Sequence, residues 1–413
     1  MVKIRPYLLD GPRSAGELTR AIGISRAGLR LAYEQEEESV LRFGRARGTQ
    51  YAARQNFTGL SADEFPVFRV DEAGKIAAAG ELVTLTGNQS IWCPHNTVLD
   101  GLPAEMNDMA PRGFLGRSFA GNHADLGLPD DLNNWSDHHV LIALSRRGED
   151  LPGNLVIGRE SFDRFQRLQF KDLTTDDFPA LALAALAGEH VGSSAGGERP
   201  KFTALLDGRH RLIKFATSES DNARRWQDLL VLEHVALKTL SDAGVQAAET
   251  DLIDVDGLRC LIINRFDRIG ARGRRSVMTL AAASEEYAGS WTDAAQKLTR
   301  RDALSENDLR RIALLDAFGA LIANTDRHKH NVVLFHDDGS YSLAPAFDQL
   351  PMAYAPPASG HLRRTAVDEA VPAVNTLEVW DEAREIAMEF WRRASDRQMT
   401  NSMRDIVREH ARR

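Results

Sequence analysis

Four polar residues near the C-terminal end of the chain have the types and spacing that phosphoryl transfer requires. Asp326 and Asn331 stand five positions apart with His328 between them, and another acid follows at Asp348. Phosphoryl transfer needs a carboxylate that orients the attacking hydroxyl and accepts its proton, together with oxygen ligands that hold Mg²⁺ on the phosphates. Asp326 suits the first task, and Asn331 and Asp348 suit the second.

The surrounding sequence places these residues on a loop. The run from Leu309 to Ile322 has apolar residues at helical spacing, which predicts a buried helix, and Val332 to Phe335 predicts a short strand that begins a hairpin. An Asp and an Asn at this spacing, followed by an Asp after a hairpin, are typical of protein-kinase catalytic loops. The Asp–Asn pair alone is a weak signal, because both residues are also common in turns and at helix caps.

A lysine and a glutamate upstream are expected to form a buried pair. Lys214 lies among apolar neighbours in a predicted strand at Arg211 to Phe215, and a lysine in such a strand needs a partner or a route to solvent. Glu233, on a helix predicted from Arg224 to Ala243, is the candidate partner. In kinases a strand lysine held by a helix glutamate directs its amine at the α- and β-phosphates.

Two further segments match the surroundings of a nucleotide site. The stretch from Ser193 to Lys201 is rich in Gly and Ser, so Gly196 and Gly197 could bring backbone N–H groups to phosphates. A plain surface loop fits the same composition. The apolar strand at residues 261–263 runs into residues 264–268, which are positioned as a hinge between two lobes.

The N-terminal residues predict a module of short helices. Residues 1–54 carry ten basic and six acidic residues, a net charge of +4 in a chain of net charge −8. We expect a first helix that closes at residues 7–9. Ser14 and Glu17 form a predicted capping box for a second helix that ends at Ile22. A third helix is predicted from Arg26 to about Gln35.

A basic hairpin is predicted to complete this module. Its strands are expected at Val40 to Phe43 and at Thr49 to Ala53. The pattern predicts a winged helix-turn-helix over residues 1–56 that binds double-stranded DNA, with Arg26 and Arg30 on the groove-reading helix and Arg45 and Arg47 at the wing. The alternative is a packing or protein-interaction module with solvated arginines.

The composition restricts the class of protein. Hydrophobic residues make up 43% and charged residues 27% of 413, fractions typical of a soluble globular protein with more than one domain. No apolar run reaches the roughly 20 residues of a membrane span, and no apolar signal-peptide core begins the chain. The only cysteines, Cys93 and Cys260, lack metal-type spacing. We therefore expect a cytoplasmic protein without structural zinc or a membrane partner.

Several motifs occur in the order and spacing of a known family. They are R-F-D-R at 265–268, T-D-x-H-x-x-N at 325–331, P-x-F-D at 345–348, S-x-A-G-G at 193–197 and N-D-M-A-P-R-G-F-L-G-R at 107–117. Together they resemble the HipA-type serine/threonine kinases of bacterial toxin–antitoxin systems, over roughly residues 65–413. A winged helix fused to such a kinase resembles the YjjJ-like branch of that family.

The resemblance implies an α+β fold, namely a bilobal protein-kinase-like (HipA-like) fold behind the N-terminal winged helix-turn-helix, and dependence on ATP and Mg²⁺. The implied domains after residue 56 are a HipA-like N-terminal subdomain at 57–145, a kinase N-lobe with the Gly-rich loop at 146–265, and a helical C-lobe at 266–413. It also implies roles for individual residues. Asp326 would be the catalytic acid/base, Asn331 and Asp348 the Mg²⁺ ligands, Lys214 the phosphate-binding lysine held by Glu233, and Phe266 an adenine contact.

The remaining implied roles concern the nucleotide and regulation. The full implied nucleotide-contacting set is Gly196, Gly197, Lys214, Phe266, Asp267, His328, Asn331 and Asp348, and His328 also belongs to the implied catalytic set. Ser193 falls where the family carries an autophosphorylated serine that silences the enzyme, with Ser194 beside it. Arg327, His330 and Asn264 depart from the common pattern.

These features lead to three functional hypotheses. The first is a serine/threonine protein kinase with its own DNA-binding domain, able to autophosphorylate and to regulate its own promoter. Its protein substrate is unidentified, and the family resemblance points to translation components. The second is a transcriptional regulator that senses a nucleotide through an inactive kinase fold, and the third is a small-molecule kinase. Winged-helix repressors often dimerise, so a homodimer fits the first two hypotheses.

Overall fold

The computed structural model describes residues 2–56, 59–60, 62–93, 95–187, 200–337, 339–357 and 369–412. These parts form four α/β units in chain order, and nearly all strand pairs are antiparallel. Ser193, Ser194, Gly196 and Gly197 lie outside the described residues. Within the described ranges, no helix combines the length and the apolarity that crossing a membrane would require.

The N-terminal unit is a small sheet with two helices. Its elements are β1 (Arg13–Ser14), α1 (Ala15–Ile22), α2 (Arg26–Glu36), β2 (Val40–Phe43) and β3 (Gln50–Ala53), with sheet order β1-β3-β2. The Ser14–Glu17 capping box is confirmed. Gly23 has a φ of 74°, a left-handed conformation that glycine adopts at little cost and that ends α1.

The first predicted helix is wrong. Residues Arg5–Leu8 form a single turn of 3₁₀-helix instead, and the chain turns again at Gly11, whose φ is 132°, before an α-helix can develop. Ile4 and Leu8 are fully buried in the core of the unit.

The middle unit is built on a five-stranded antiparallel sheet of order β7-β6-β5-β4-β8. Its strands are β4 (Glu64–Val70), β5 (Ile76–Leu85), β6 (Gln89–Cys93), β7 (Thr97–Asp100) and β8 (Leu155–Ile157). Its helices are α3 (Ala104–Asp108), α4 (Gly113–Asn122), α5 (Asp137–Arg147) and α6 (Arg159–Arg167). Since β8 pairs with β4, the sheet continues past the predicted boundary at residue 145, and that boundary falls inside the unit.

The N-terminal and middle units are joined by backbone hydrogen bonds and a shared core. Thr86 N donates to Ala53 O at 3.0 Å, and Gln55 N donates to Thr84 O at 3.1 Å. The apolar residues of the shared core are Phe43 and Ala52 from one unit and Val83, Leu85 and Ile91 from the other. The N-terminal unit is thus packed against the middle sheet rather than tethered to it.

The third unit carries a five-stranded sheet of order β12-β13-β11-β10-β9. Its strands are β9 (Asp172–Leu173), β10 (Lys201–Leu206), β11 (Arg209–Ala216), β12 (Thr250–Val255) and β13 (Leu258–Asn264), and its helices are α7 (Phe178–Ala187) and α8 (Asp221–Asp242). α7 packs on one face through Phe178 and Phe202. α8 packs on the other face and shares a core with the C-terminal unit.

The C-terminal unit is mostly helical. Its strands are β14 (Arg268–Ile269), β15 (Gly273–Arg274), β16 (Val277–Thr279), β17 (Val333–Asp337) and β18 (Ser340–Leu343), and its helices are α9 (Leu280–Ser284), α10 (Trp291–Thr299), α11 (Glu306–Leu321), α12 (Trp380–Ser395) and α13 (Asn401–Ala411). α12 packs into the core of this unit through Ala383, Ala387 and Trp391, which are all buried. The loop between α11 and β17 carries Asp326 to Asn331.

The shared core between the first two units generates a stability prediction. Leu85→Ala should lower the free energy of unfolding by about 2–4 kcal/mol, because it leaves a cavity at a residue that is 1% exposed. The matched control is Leu183→Ala, at a residue that is 70% exposed, which should change stability little. Urea unfolding measures both. Equal effects of the two substitutions would mean that the units do not share a tightly packed core.

Candidate functional site

A buried ion cluster lies between the third and C-terminal units. The Nζ of Lys214, on β11, donates to Oε1 and Oε2 of Glu233, on α8, at 2.7 and 2.9 Å. The same ammonium bonds to Oδ1 of Asp348. The predicted pairing of Lys214 with Glu233 is confirmed, and Asp348 joins it from the segment that follows β18.

Burial and charge act in opposite directions on these three groups. Burial would lower the pKa of Lys214, but the carboxylates of Asp348 and Glu233 outweigh it and hold this pKa above its ordinary value. Burial raises the pKa of Glu233, and Lys214 offsets only part of that effect. Burial also acts to raise the pKa of Asp348, yet the charges of Lys214 and Lys201 lower it overall. The Asp348 carboxylate is therefore held in its charged form.

Lys201 is a site residue that the sequence analysis did not single out. It lies directly opposite Lys214 in the β10–β11 ladder, so both side chains leave the same face of the sheet. The signal that could have found it is the Asp207–Gly208 pair, whose φ values of 50° and 69° are those of a two-residue hairpin turn. Such a turn fixes the register of the two strands and so brings the two lysines together.

Asn324, also missed, connects the two acidic loops of the site. This residue is 1% exposed. Its Oδ1 accepts from Asp326 N at 3.0 Å, and its Nδ2 donates to Asp348 O at 3.4 Å. Asn331 Nδ2 in turn donates to Asp326 O at 2.9 Å. The backbone of Asp326 is thus held on both sides by amide side chains.

The start of the loop is fixed by α11. Ala323 adopts a φ of 60°, a left-handed conformation that turns the chain out of the helix. Arg327 points back toward α11, where its Nε lies 3.3 Å from Asp316 Oδ1 and its Nη1 donates to Asn324 O at 2.7 Å. A Cβ on Gly319 would lie 2.6 Å from Arg327 Cδ, so glycine leaves the space that Arg327 occupies. Arg327 therefore attaches the loop to the C-terminal part of α11.

Asp326 and His328 face solvent. Their side chains are 51% and 52% exposed, and His328 Nε2 lies 3.8 Å from Asp326 Oδ1. Trp291 Nε1, on α10, donates to His328 O at 3.0 Å and so fixes the backbone at His328. A carboxylate that is exposed on a fixed backbone can reach a hydroxyl on a second molecule, as a catalytic base must.

Two of the predicted nucleotide contacts, Phe266 and Asp267, lie at the hinge. The Phe266 ring lies 6.0 Å from the Phe335 ring and 5.9 Å from the Phe347 ring, an aromatic group on which an adenine could stack. Asp267, predicted to contact the nucleotide, is buried with Arg265, whose Nε and Nη2 reach its two oxygens at 2.9 and 2.6 Å. Despite burial, Arg265 and Arg268 hold the pKa of Asp267 far below its usual range. Its carboxylate is committed to the hinge.

Asn331 and Asp348 carry oxygen atoms of the kind that bind Mg²⁺. The Asn331 amide nitrogen is used by Asp326 O, which leaves the amide oxygen as the ligand atom. Asp348 binds Lys214 through Oδ1 and has a second oxygen. Carboxylate and amide oxygens are ligands that Mg²⁺ prefers. In the described ranges, no group of three or more His, Cys, Asp or Glu residues is placed to hold a metal ion without other ligands.

The four predicted DNA-contacting arginines are all exposed on the N-terminal unit. Arg26 and Arg30 lie on α2, and Arg30 Nε is 3.2 Å from Glu34. Arg45 and Arg47 lie on the tip between β2 and β3. That tip is tight, because a Cβ on Gly44 would lie 2.3 Å from the carbonyl oxygen at position 48. The structure thus groups these side chains on one small module.

The hydrogen bonds of Asn324 generate a prediction. Asn324→Ala removes the acceptor for Asp326 N, so stability should fall by about 1–3 kcal/mol, and the Asp326 amide hydrogen should exchange with solvent faster. Asn134→Ala, an exposed position, is the control and should change neither quantity. Hydrogen exchange with chemical denaturation measures both. Unchanged exchange at Asp326 would show that the loop is held without Asn324.

Comparison with known proteins agrees with the motifs. The model of the YjjJ-like toxin middle domain matches residues 61–166, and the model of the HipA-like C-terminal domain matches residues 193–413. Toxin YjjJ of Escherichia coli (strain K12) is 33% identical over 435 aligned positions, which cover 99% of this chain and 96% of the relative.

Two solved structures are similar at low identity. The HipA of Shewanella oneidensis MR-1, solved with HipB and operator DNA, has a TM-score of 0.46 at 13% identity and covers 79% of this chain and 93% of its own. The Helicobacter pylori proinflammatory kinase CtkA has a TM-score of 0.37 at 12% identity and covers 51% of this chain and 88% of its own. The family assignment depends on the sequence matches: the chain belongs to the YjjJ-like toxins, with a HipA-like C-terminal domain.

Proposed function

We propose that this protein is an ATP- and Mg²⁺-dependent serine/threonine protein kinase with its own winged helix-turn-helix DNA-binding domain. The observation that carries the proposal is the contact of Lys214 with both Glu233 and Asp348. A strand lysine, a helix glutamate and a metal-binding aspartate in this order are the parts that kinases assemble around the phosphates.

Each residue has a distinct task in the proposed reaction. Lys214 and Lys201 bind the phosphate oxygens, and Glu233 keeps the Lys214 amine in place. Asp326 orients the acceptor hydroxyl and takes its proton. Asn331 and Asp348 hold Mg²⁺, which neutralises charge on the transferring phosphoryl group. Asn324 keeps the Asp326 and Asp348 loops in register.

The family assignment supports a cellular effect. A relative that aligns over nearly the whole chain is named a toxin, so we propose that this protein restricts growth by phosphorylating a protein target, of which translation components are the leading class. We also propose that Ser193 or Ser194 is autophosphorylated and thereby silences the enzyme.

A nucleotide-sensing regulator is the second candidate. It is favoured by the packing of the N-terminal unit on the middle sheet, which would let a change in one unit reach the other without any phosphoryl transfer. This candidate binds ATP and phosphorylates no protein. The intact mass of the protein after incubation with ATP and Mg²⁺ separates the kinase from the regulator.

The kinase proposal predicts a mass change that depends on Asp326. Purified protein incubated with ATP and Mg²⁺ should gain one phosphate, mapped to Ser193 or Ser194. Asp326→Asn should bind ATP normally but turn over more slowly by a factor on the order of 10²–10⁴, because general base catalysis is lost. Intact-mass spectrometry with phosphosite mapping measures the gain.

Asp381→Asn, an exposed Asp on α12, is the matched control and should retain full turnover. Near-normal turnover of Asp326→Asn would remove Asp326 from its role. ATP binding without phosphate gain in the wild type would favour the regulator.

The DNA-binding proposal predicts a salt dependence. The logarithm of the association constant should fall with the logarithm of salt concentration at about −0.9 per phosphate contact. Arg45→Ala with Arg47→Ala should therefore make the slope shallower by about 1.8. The paired control is Arg384→Ala with Arg404→Ala on α12 and α13, both exposed. An unchanged slope in the wing variant would exclude these arginines as phosphate contacts. Substitutions are preferable to deleting residues 1–56, since deletion would expose the shared apolar core.

A further inference from the structure

A buried arginine joins the glutamate-bearing helix to two other elements. Arg225 lies on α8, two helical turns before Glu233, and is only 5% exposed. Its Nη1 donates to Tyr354 O at 3.3 Å, and its Nη2 donates to Ser402 Oγ at 3.0 Å. Tyr354 lies in the segment that follows Asp348, and Ser402 lies in the first turn of α13.

The segment after Asp348 is held from three sides. Arg225 binds its backbone at Tyr354. Ala353 N donates to Ala323 O at 3.0 Å, which ties the segment to the start of the loop that carries Asp326. The Tyr354 hydroxyl and His410 Nε2 are 2.5 Å apart, which ties it to the last turn of α13. The position of Asp348 therefore depends on α8, on the Asp326 loop and on the C-terminal helix.

The C-terminal helix is fixed to α8 by a second set of contacts. Asp228, one turn after Arg225, accepts from Thr400 N at 3.0 Å and also binds Thr400 Oγ1. Thr400 is the N-cap of α13. The His410 ring stacks on Trp391 with centroids 4.2 Å apart and planes 8° apart. Both ends of α13 are thus docked, one on α8 and the other on α12.

The choice of arginine at position 225 costs stability. A guanidinium removed from water loses its hydration. Its hydrogen bonds here go to two neutral oxygens, and the nearby Asp228 carboxylate compensates part of the cost. Its Nε is buried without a hydrogen-bond partner. Replacing Arg225 alone by an apolar residue would leave the buried Asp228 carboxylate without its nearby cation. Beyond that charge, Arg225 supplies the hydrogen bonds that link α8 to the segment after Asp348 and to α13.

We propose that Arg225 is a positioning residue that couples the docking of α13 to the Lys214–Glu233–Asp348 cluster. This role rests on the kinase activity proposed above. Arg225 holds α8 and the segment after Asp348 at the spacing in which the Lys214 ammonium reaches both carboxylates. Loss of the link lets α8 and that segment move apart, and the amine of Lys214 is then shared less well between Glu233 and Asp348.

The test compares two adjacent arginines on the same helix. Arg225→Met keeps an unbranched side chain but removes both hydrogen bonds, whereas Arg225→Lys keeps a cation that reaches one acceptor. The matched control is Arg224→Met, because Arg224 is exposed and its hydrogen bonds go to Asp221 and to Ser218 O, both close to it in sequence. Autophosphorylation kcat, KM for ATP, and hydrogen exchange of residues 348–357 are measured in full-length protein below its unfolding transition.

The expected result separates positioning from simple stability. Arg225→Met should lower kcat at least tenfold with less than a threefold change in KM for ATP, because adenine binding at Phe266 is unaffected. Hydrogen exchange at 348–357 should become faster, Arg225→Lys should recover part of both effects, and Arg224→Met should behave as wild type. A kcat of folded Arg225→Met equal to that of Arg224→Met would overturn the proposal.

Hydrogen exchange needs no catalysis, so it keeps the two proposals distinguishable. A wild-type protein without phosphoryl transfer contradicts the proposed kinase, yet faster exchange at residues 348–357 in Arg225→Met still supports the coupling. Unchanged exchange in that segment overturns the coupling whether or not the wild type is active.

Discussion

The burial of one ammonium group between two carboxylates is the constraint on which the rest of the structure depends. Lys214 is buried on a central strand, where an unpaired charge would be too costly to keep. Glu233 can pair with this ammonium only if α8 packs across β11. Asp348 can reach it only if the segment after β18 passes close to the same strand. Removing one partner of a buried ion cluster leaves an uncompensated charge. This lowers stability far more than replacing the whole cluster with apolar residues would.

This requirement explains the organisation of the two C-terminal units around one helix. α8 spans 22 residues, about twice the mean helix length, and it contributes to the same apolar core as α11 and α12. One helix thus belongs to both units and carries a charge pair at its buried face. A wholly apolar contact would stabilise the packing at least as well, so the cluster is better explained by chemistry than by stability.

Local patterns predicted local structure well. The Ser14–Glu17 capping box and the buried helix α11 each depend on neighbours in sequence, and each was found where expected. Lys214 and Glu233 could be paired because a lysine in an apolar strand has few alternatives. Most of what was missed depended on how strands and loops pair with one another. Lys201 becomes a site residue only through strand register.

The missed features share that non-local origin. Asn324 matters because it bonds to Asp348, which no spacing reveals. β8 belongs to the middle sheet only because it pairs with β4, far earlier in the chain. Composition and periodicity do not report contacts between separate segments. Sequence reasoning therefore located the candidate site but not the residues, such as Asn324, that support it.

The same contacts make the middle unit part of the site's framework. Asp108, at the end of α3, accepts from Thr279 N and Oγ1 at 2.6 and 2.7 Å. Leu280 N then donates to Val332 O at 2.8 Å, and Val332 directly follows Asn331. Because the middle sheet is also joined to the N-terminal unit, a continuous series of contacts leads from the N-terminal unit to the loop of Asp326. Separating these parts requires breaking the hydrogen bonds that join the units and the apolar core that the first two units share.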